Sequence, residues 1–155
     1  VSGQDQLEAQ LKSMQVELQR LQDMHEIVQL IDRYGSALDE KRWDDWENTF
    51  ADDVVTDYPW GVTHGRDGMG AKAAEILKDF KLTEHLSANV IINLDGDRAT
   101  TRRNVWIICV RPDDVPGVHF TEGGVYNCEH VRTADGWKFS RIALDIKWTV
   151  NGEPL

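Results

Sequence analysis

Residues 81–97 read "KLTEHLSANVIINLDGD", and the fold turns on how this stretch is read. Upstream of it, apolar residues recur at helical spacing. From residue 83 onward they alternate, which is the period of a strand whose side chains point to opposite faces. Four strands are expected, at 83–94, 97–111, 118–133 and 137–150. They are separated by "DGD", "PDDVPG" and "TADG", sequences whose Gly, Pro and Asp suit tight turns.

Working back toward the N-terminus, residues 4–34 contain neither Gly nor Pro, so one long helix can run through them. Leu7, Leu11, Met14, Leu18, Leu21, His25 and Val28 keep a 4-3 spacing, the pattern of a coiled-coil seam. A second stripe, Ile27, Leu30, Ile31, Tyr34 and Leu38, lies on another side and is expected to enter the core, with Gly35 and Asp39 loosening the helix end. "EKRWDDWENTF" (40–50) reads as a second helix with Trp43, Trp46 and Phe50 on one face. "DDVVTDYPW" (52–60) reads as a strand closed by Pro59. "THGRDGMG" (63–70) is a loop leading into a third helix, "AKAAEILKDF" (71–80). Helices followed by a long antiparallel meander define an α+β domain in which a curved sheet wraps the helices. In "NVWIICV" (104–110) both alternating faces are apolar. Helices would cover one face and a second subunit the other, so a homo-oligomer is expected.

The 155 residues suit one domain with one core. A formal net charge of −10 argues against nucleic acid or an anionic membrane as partner, since both reward a basic surface. No apolar run reaches transmembrane length, the N-terminus lacks a signal-peptide core, and Cys109 and Cys128 form no CxxC. A cytoplasmic protein with two free thiols is the expectation.

Two residues stand out chemically. Asp39 follows the core stripe and precedes Trp43 by four residues. It is either a helix cap or a carboxylate that needs a buried partner. His85 shares a strand face with Ser87, Asn89 and Ile91, while Leu86, Ala88, Val90 and Ile92 form the face expected to pack. A lone strand histidine is more often structural. A carboxylate on one ring nitrogen would instead fix the tautomer and free the other nitrogen to move protons. Tyr34 and Tyr58 are candidate phenols for polarising a carbonyl, and Asn127 a candidate donor from a neighbouring strand. Ile107 and Cys109, with Ile142, Leu144 and Ile146 on the last strand, are expected to wall an apolar pocket. His64, His119 and His130 show no metal-ligand spacing, "GRDGMG" has no phosphate-loop pattern, and no Ser or Cys sits in a nucleophile elbow, so no metal or cofactor is expected.

The stretch "YGSALDEKRWDDWENTFADDVVTDY" (34–58) resembles the first half of the SnoaL-like group of the NTF2-like superfamily. "LDEKRW", "TDY" followed by "TEHL", and the closing "DGWKFSRIALDIKW" are similar to dehydratases of the scytalone and bile-acid 7α type. The leading "LEAQLKSMQVELQRLQDMHEI" especially resembles the bile-acid enzymes, and "GGVYNCEHVRTADGWKFS" the lindane dehydrochlorinase. The resemblance implies an NTF2-like cone of three helices and a curved, mostly antiparallel sheet, residues 26–155, preceded by a helical extension, residues 1–25. It places the family's His–Asp dyad on His85 and Asp39. It assigns Tyr34 and Tyr58 as catalytic phenols, and Asn127 as a polar pocket residue. Three positions depart from the relatives: Leu38 replaces a second tyrosine, no second histidine lies near Cys109, and Ile146 or Lys147 falls where an arginine stands. The expected activity is a cofactor-independent dehydratase acting on a hydrophobic cyclic hydroxy-carbonyl compound, steroid-like or polyketide-like, in a homotrimer. An isomerase or polyketide cyclase would use the same base. A non-catalytic binding or assembly module would leave the Asp39–His85 pairing without purpose.

Overall fold

The computed structural model describes residues 2–153. Helix α1 spans Gly3–Asp39 without a break. A reciprocal cap starts it: the Ser2 hydroxyl accepts from the Asp5 amide, and the Asp5 carboxylate accepts from the Ser2 amide. As far as Gln22 every residue described is exposed. The seam side chains Leu7, Leu11, Met14, Leu18 and Leu21 are therefore left uncovered by the rest of the described chain. Asp23 marks where the helix meets the domain. Its buried carboxylate takes two 2.7 Å hydrogen bonds from the Arg132 guanidinium and one of 3.3 Å from the Trp137 indole. Beyond it Ile27, Leu30, Ile31, Tyr34 and Leu38 enter the core, as their spacing predicts. The extension and the first core helix are thus one rod.

Lys41 adopts φ 56°, and the Arg42 amide reaches back to the Ala37 carbonyl at 2.8 Å, which ends α1 and turns the chain. Two short helices follow, α2 (Trp43–Glu47) and α3 (Met69–Ile76), on either side of strands β1 (Phe50–Tyr58) and β2 (Gly61–His64). The second helix is shorter than the sequence predicts, because the chain turns at Thr49, whose carbonyl accepts from the Phe139 amide. Four long strands complete the chain: β3 (Leu82–Asp95), β4 (Arg98–Val110), β5 (Phe120–Thr133) and β6 (Gly136–Val150). The six form one open, curved sheet ordered β2-β1-β6-β5-β4-β3. All neighbours are antiparallel except β1 and β6.

Register separates the faces. His85, Ile107 and Glu122 are aligned across β3, β4 and β5 on the concave face, as are Arg103 and Tyr126 two rows further in. Leu86, Trp106 and Gly123 are aligned on the convex face, with Trp148 beside Gly123. Trp106 and Trp148 meet edge to face there and are about half exposed. One expectation needs correction. The alternation along β3 does not continue through Val90 and Ile92, because a bulge between Ala88 and Ile91, with Asn89 at φ 54°, inserts a residue and exchanges the faces. Leu86 and Ala88 therefore point outward, whereas Val90 and Ile92 pack against the core as expected, together with Leu94. No described helix is long and apolar enough to cross a membrane.

Candidate active site

The end of α1 and the start of β3 are pressed together at Gly35. A β-carbon on that residue would stand 3.1 Å from the His85 carbonyl oxygen, a tight contact that would push helix and strand apart by a few tenths of an ångström, so glycine favours the close approach. The closeness brings Asp39, the last residue of α1, against His85. Asp39 Oδ1 lies 2.6 Å from His85 Nδ1 and accepts from the Thr83 hydroxyl at 3.0 Å, while Oδ2 accepts from the His85 backbone amide at 2.9 Å. Asp39 thus caps no following helix. Its carboxylate fixes both the strand and the imidazole. A carboxylate accepts only, so the neutral ring carries its proton on Nδ1 and presents the Nε2 lone pair.

His85 lines a narrow cavity of about 30 Å³, room for little more than water as it stands. Leu38, Trp46, Trp60, Leu77, Ile107 and Leu144 supply apolar wall. Besides His85, the lining residues with polar groups are Tyr34, Tyr126, Glu122 and the indoles of Trp46 and Trp60, and the Trp46 N–H is buried with no hydrogen-bond partner among the described residues. Tyr34 and Tyr126 belong to a buried cluster of phenols. Tyr34 Oη is 2.8 Å from Tyr58 Oη and 3.3 Å from Tyr126 Oη. Burial pushes all three phenols well above their ordinary value, so they are neutral donors at physiological pH. Behind them Arg103, fully buried, lies over the Tyr126 ring with its guanidinium carbon 4.4 Å from the centroid.

The structure distributes the expected site residues unevenly. His85, Asp39 and Tyr34 come together, and Ile107 and Leu144 line the cavity. Tyr58 stands behind Tyr34 and reaches the cavity through that phenol. Cys109 is buried on the concave face beyond Ile107, its thiol pushed up to about 12, chiefly by burial and then by the nearby Glu122 carboxylate. Ile142 is core beneath the cavity, and Ile146 faces inward opposite Gly124. Asn127 is a correction: it is exposed on the convex face, opposite Arg102 and Ala143, because the inward residues of β5 are Glu122, Tyr126 and Cys128. The residues missed are Tyr126, Glu122, Trp46, Trp60 and Arg103. For the first two the signal was present, since counting β5 in twos from buried Cys128 lands on Tyr126 and Glu122. The same count from Cys109 along β4 lands on Arg103.

A curved, mostly antiparallel sheet closed by helices over an apolar cavity, with a carboxylate-held imidazole and phenols lining it, is the NTF2-like fold. The chain belongs to the SnoaL-like domain family, whose profile matches residues 19–143. An uncharacterised protein of Mycobacterium tuberculosis is 34% identical over 129 residues, 78% of this chain and 83% of the relative. A Novosphingobium aromaticivorans structure named as a candidate scytalone dehydratase superposes with a TM-score of 0.79 at 24% identity, over 86% of this chain and 90% of that one. A hexachlorocyclohexane dehydrochlorinase gives 0.77 at 20% identity, over 90% and 93%. Likenesses at these identities establish the fold.

Proposed function

We propose that the protein is a lyase of the dehydratase type that removes water from a hydrophobic cyclic hydroxy-carbonyl compound without a cofactor. The observation that carries this is the Asp39–His85 pair at 2.6 Å, with His85, Tyr34 and Tyr126 lining one apolar cavity. Neutral His85 takes the acidic proton beside the substrate carbonyl through Nε2. Asp39 stabilises the imidazolium without taking its proton. Tyr34 or Tyr126 donates to the carbonyl oxygen as it gains enolate charge, and Tyr58 supports Tyr34 from behind. The imidazolium then returns its proton to the departing hydroxyl, so the net change is loss of one water and formation of one double bond. Two of the structural neighbours are named for eliminations, which favours this over isomerisation on the same base. The test is to incubate the protein with a panel of hydroxylated cyclic ketones and read dehydrated product by mass spectrometry. Product that appears with wild type and is lost in a folded His85→Ala variant supports the reading. Equal turnover by His85→Ala refutes it.

A further inference from the structure

From Gly3 to Gln22 helix α1 is exposed on every side, and at 1.5 Å per residue it stands about 30 Å clear of the domain. A solvated helix has no need of large apolar side chains, yet this stretch carries six, each more than half exposed. Five of them form the 4-3 seam, with Leu7, Met14 and Leu21 at its d positions and Leu11 and Leu18 at its a positions. Val16 lies off the seam, at f. The domain does not fold back over this stripe, because α1 runs unbroken into it. Where the two meet, the buried residues Asp23, Ile27 and Leu30 occupy f and c positions, on the side of the helix opposite a and d. The seam is also this chain's own feature rather than the family's: the SnoaL-like profile begins at residue 19, past Leu7, Leu11, Met14 and Leu18.

We infer that the seam docks against the same seam of a second copy of the chain, the two extensions forming a parallel, in-register, two-stranded coiled coil. Charge and layer composition set the orientation. In the parallel pair each g residue faces the e residue five positions on in the other strand. Gln10 then meets the partner's Gln15 and Glu17 the partner's Gln22, so no like charges oppose. The layers at Leu7, Leu11, Met14, Leu18 and Leu21 are all apolar. An antiparallel pair does worse in either register. Full overlap sets Glu17 against the partner's Glu17 and Leu7 against the partner's His25. Sliding by one heptad relieves both but sets Leu21 against the partner's Gln4, and four apolar layers remain. Glu8, Gln10, Gln15, Glu17 and Gln22 fill the flanking e and g positions, so the apolar stripe is only wide enough for one partner strand. The coil stops at Val28. The next a position is exposed Asp32, where like charges would oppose, and the next d position is Gly35, already packed against β3. The convex patch at Trp106 and Trp148 lies on the far side of the sheet from α1, so the coil is a separate contact. It does not depend on the lyase reading.

The experiment uses the full chain and needs no substrate. Sedimentation velocity compares wild type with a protein carrying Leu11→Glu and Leu18→Glu, both on the exposed extension and away from the core. The wild-type particle is expected to have twice the mass of the variant. The same twofold ratio is expected when both proteins also carry Trp106→Asp, because the convex contact is a different one. Orientation is read by disulfide trapping with diamide, which takes up the two thiol hydrogens. Leu11→Cys places two thiols in one a layer of a parallel pair and should be trapped as a two-chain species. Val16→Cys, on the outer side of the helix, should stay single, and the native Cys109 and Cys128 are buried. Equal masses for wild type and the double variant, or Leu11→Cys trapped no faster than Val16→Cys, would overturn the inference and assign the seam to a different protein. A threefold mass ratio would overturn the two-stranded coil. Trapping that requires Leu11→Cys mixed with Met14→Cys or Leu21→Cys protein would overturn the parallel arrangement.

Discussion

Asp39→Asn exchanges one carboxylate oxygen for an NH2 group, and the donors around Asp39 decide how the new side chain must sit. The His85 backbone N–H, 2.9 Å from Oδ2, can only donate, so the amide oxygen must take that position. The NH2 group then occupies the place of Oδ1, facing Thr83 Oγ1 and His85 Nδ1. The hydroxyl can rotate to accept. Nδ1 can accept only by losing its proton, and the ring then carries its hydrogen on Nε2, toward the cavity. The imidazole stays in place with its lone pair pointing the wrong way. Three hydrogen bonds to a charged acceptor become bonds to a neutral group. The charge was partly exposed, so the expected stability loss is about 1–2 kcal/mol. The expected loss of turnover is roughly 10²–10⁴-fold, the contribution of a general base. Nitrogen-15 NMR of the His85 ring reads the tautomer directly, and urea denaturation reads the stability. A wild-type ring protonated on Nε2, or an unchanged tautomer in the variant, would refute the assigned role of Asp39.

Three further outcomes are expected. His130 is buried with its pKa lowered from 6.5 to about 3 by burial first and then by Arg103, so its unfolded form binds a proton that the folded form refuses. Stability is therefore unaffected above pH 6.5 and falls by about 1.4 kcal/mol per pH unit below it, until about pH 3. His130→Gln should flatten that slope in denaturant titrations at stepped pH, and an unchanged slope counts against the assignment. Asp23→Ala leaves the Arg132 guanidinium and the Trp137 indole without their shared acceptor, and should cost roughly 2–3 kcal/mol, discounted because Arg132 is partly exposed. A change under about 0.5 kcal/mol in urea unfolding would show that the anchor does little. The convex patch around Trp106 and Trp148 is expected to be covered by further copies of the chain, with a trimer favoured. Light scattering should show Trp106→Asp to be smaller than wild type, and a wild-type monomer at micromolar concentration would contradict it.

The β half of the fold was legible because its turns are written in residues with special backbone preferences, as in "DGD" and "TADG". The strands between them are long enough for alternation to register. Elements that depend on distant contacts were less legible. α2 stops after five residues because a strand far along the chain captures the Thr49 carbonyl. The short β2 exists only as the partner of β1, from Val55–His64 to Tyr58–Gly61, and a four-residue stretch has too little pattern of its own. The bulge at Asn89 breaks the two-residue period, so parity counted from His85 is valid through Ser87 and fails beyond it.

The site divides along the same line. Asp39 and His85 were identifiable because each breaks its local pattern, a carboxylate ending a core stripe and an imidazole on a strand. Gly35 eases their meeting, and its place in a helix interior looks like a defect until the His85 carbonyl is found against it. Tyr126 was displaced by one residue in favour of Asn127, since polarity is a weaker guide to facing than register with a buried neighbour such as Cys128. Arg103 is harder still. Arginine ordinarily lies at the surface, and "TTRRNVW" offers two in succession. Only the parity of the strand, fixed by Val105, Ile107 and Cys109, sends the second inward. A buried cation is what composition alone would reject.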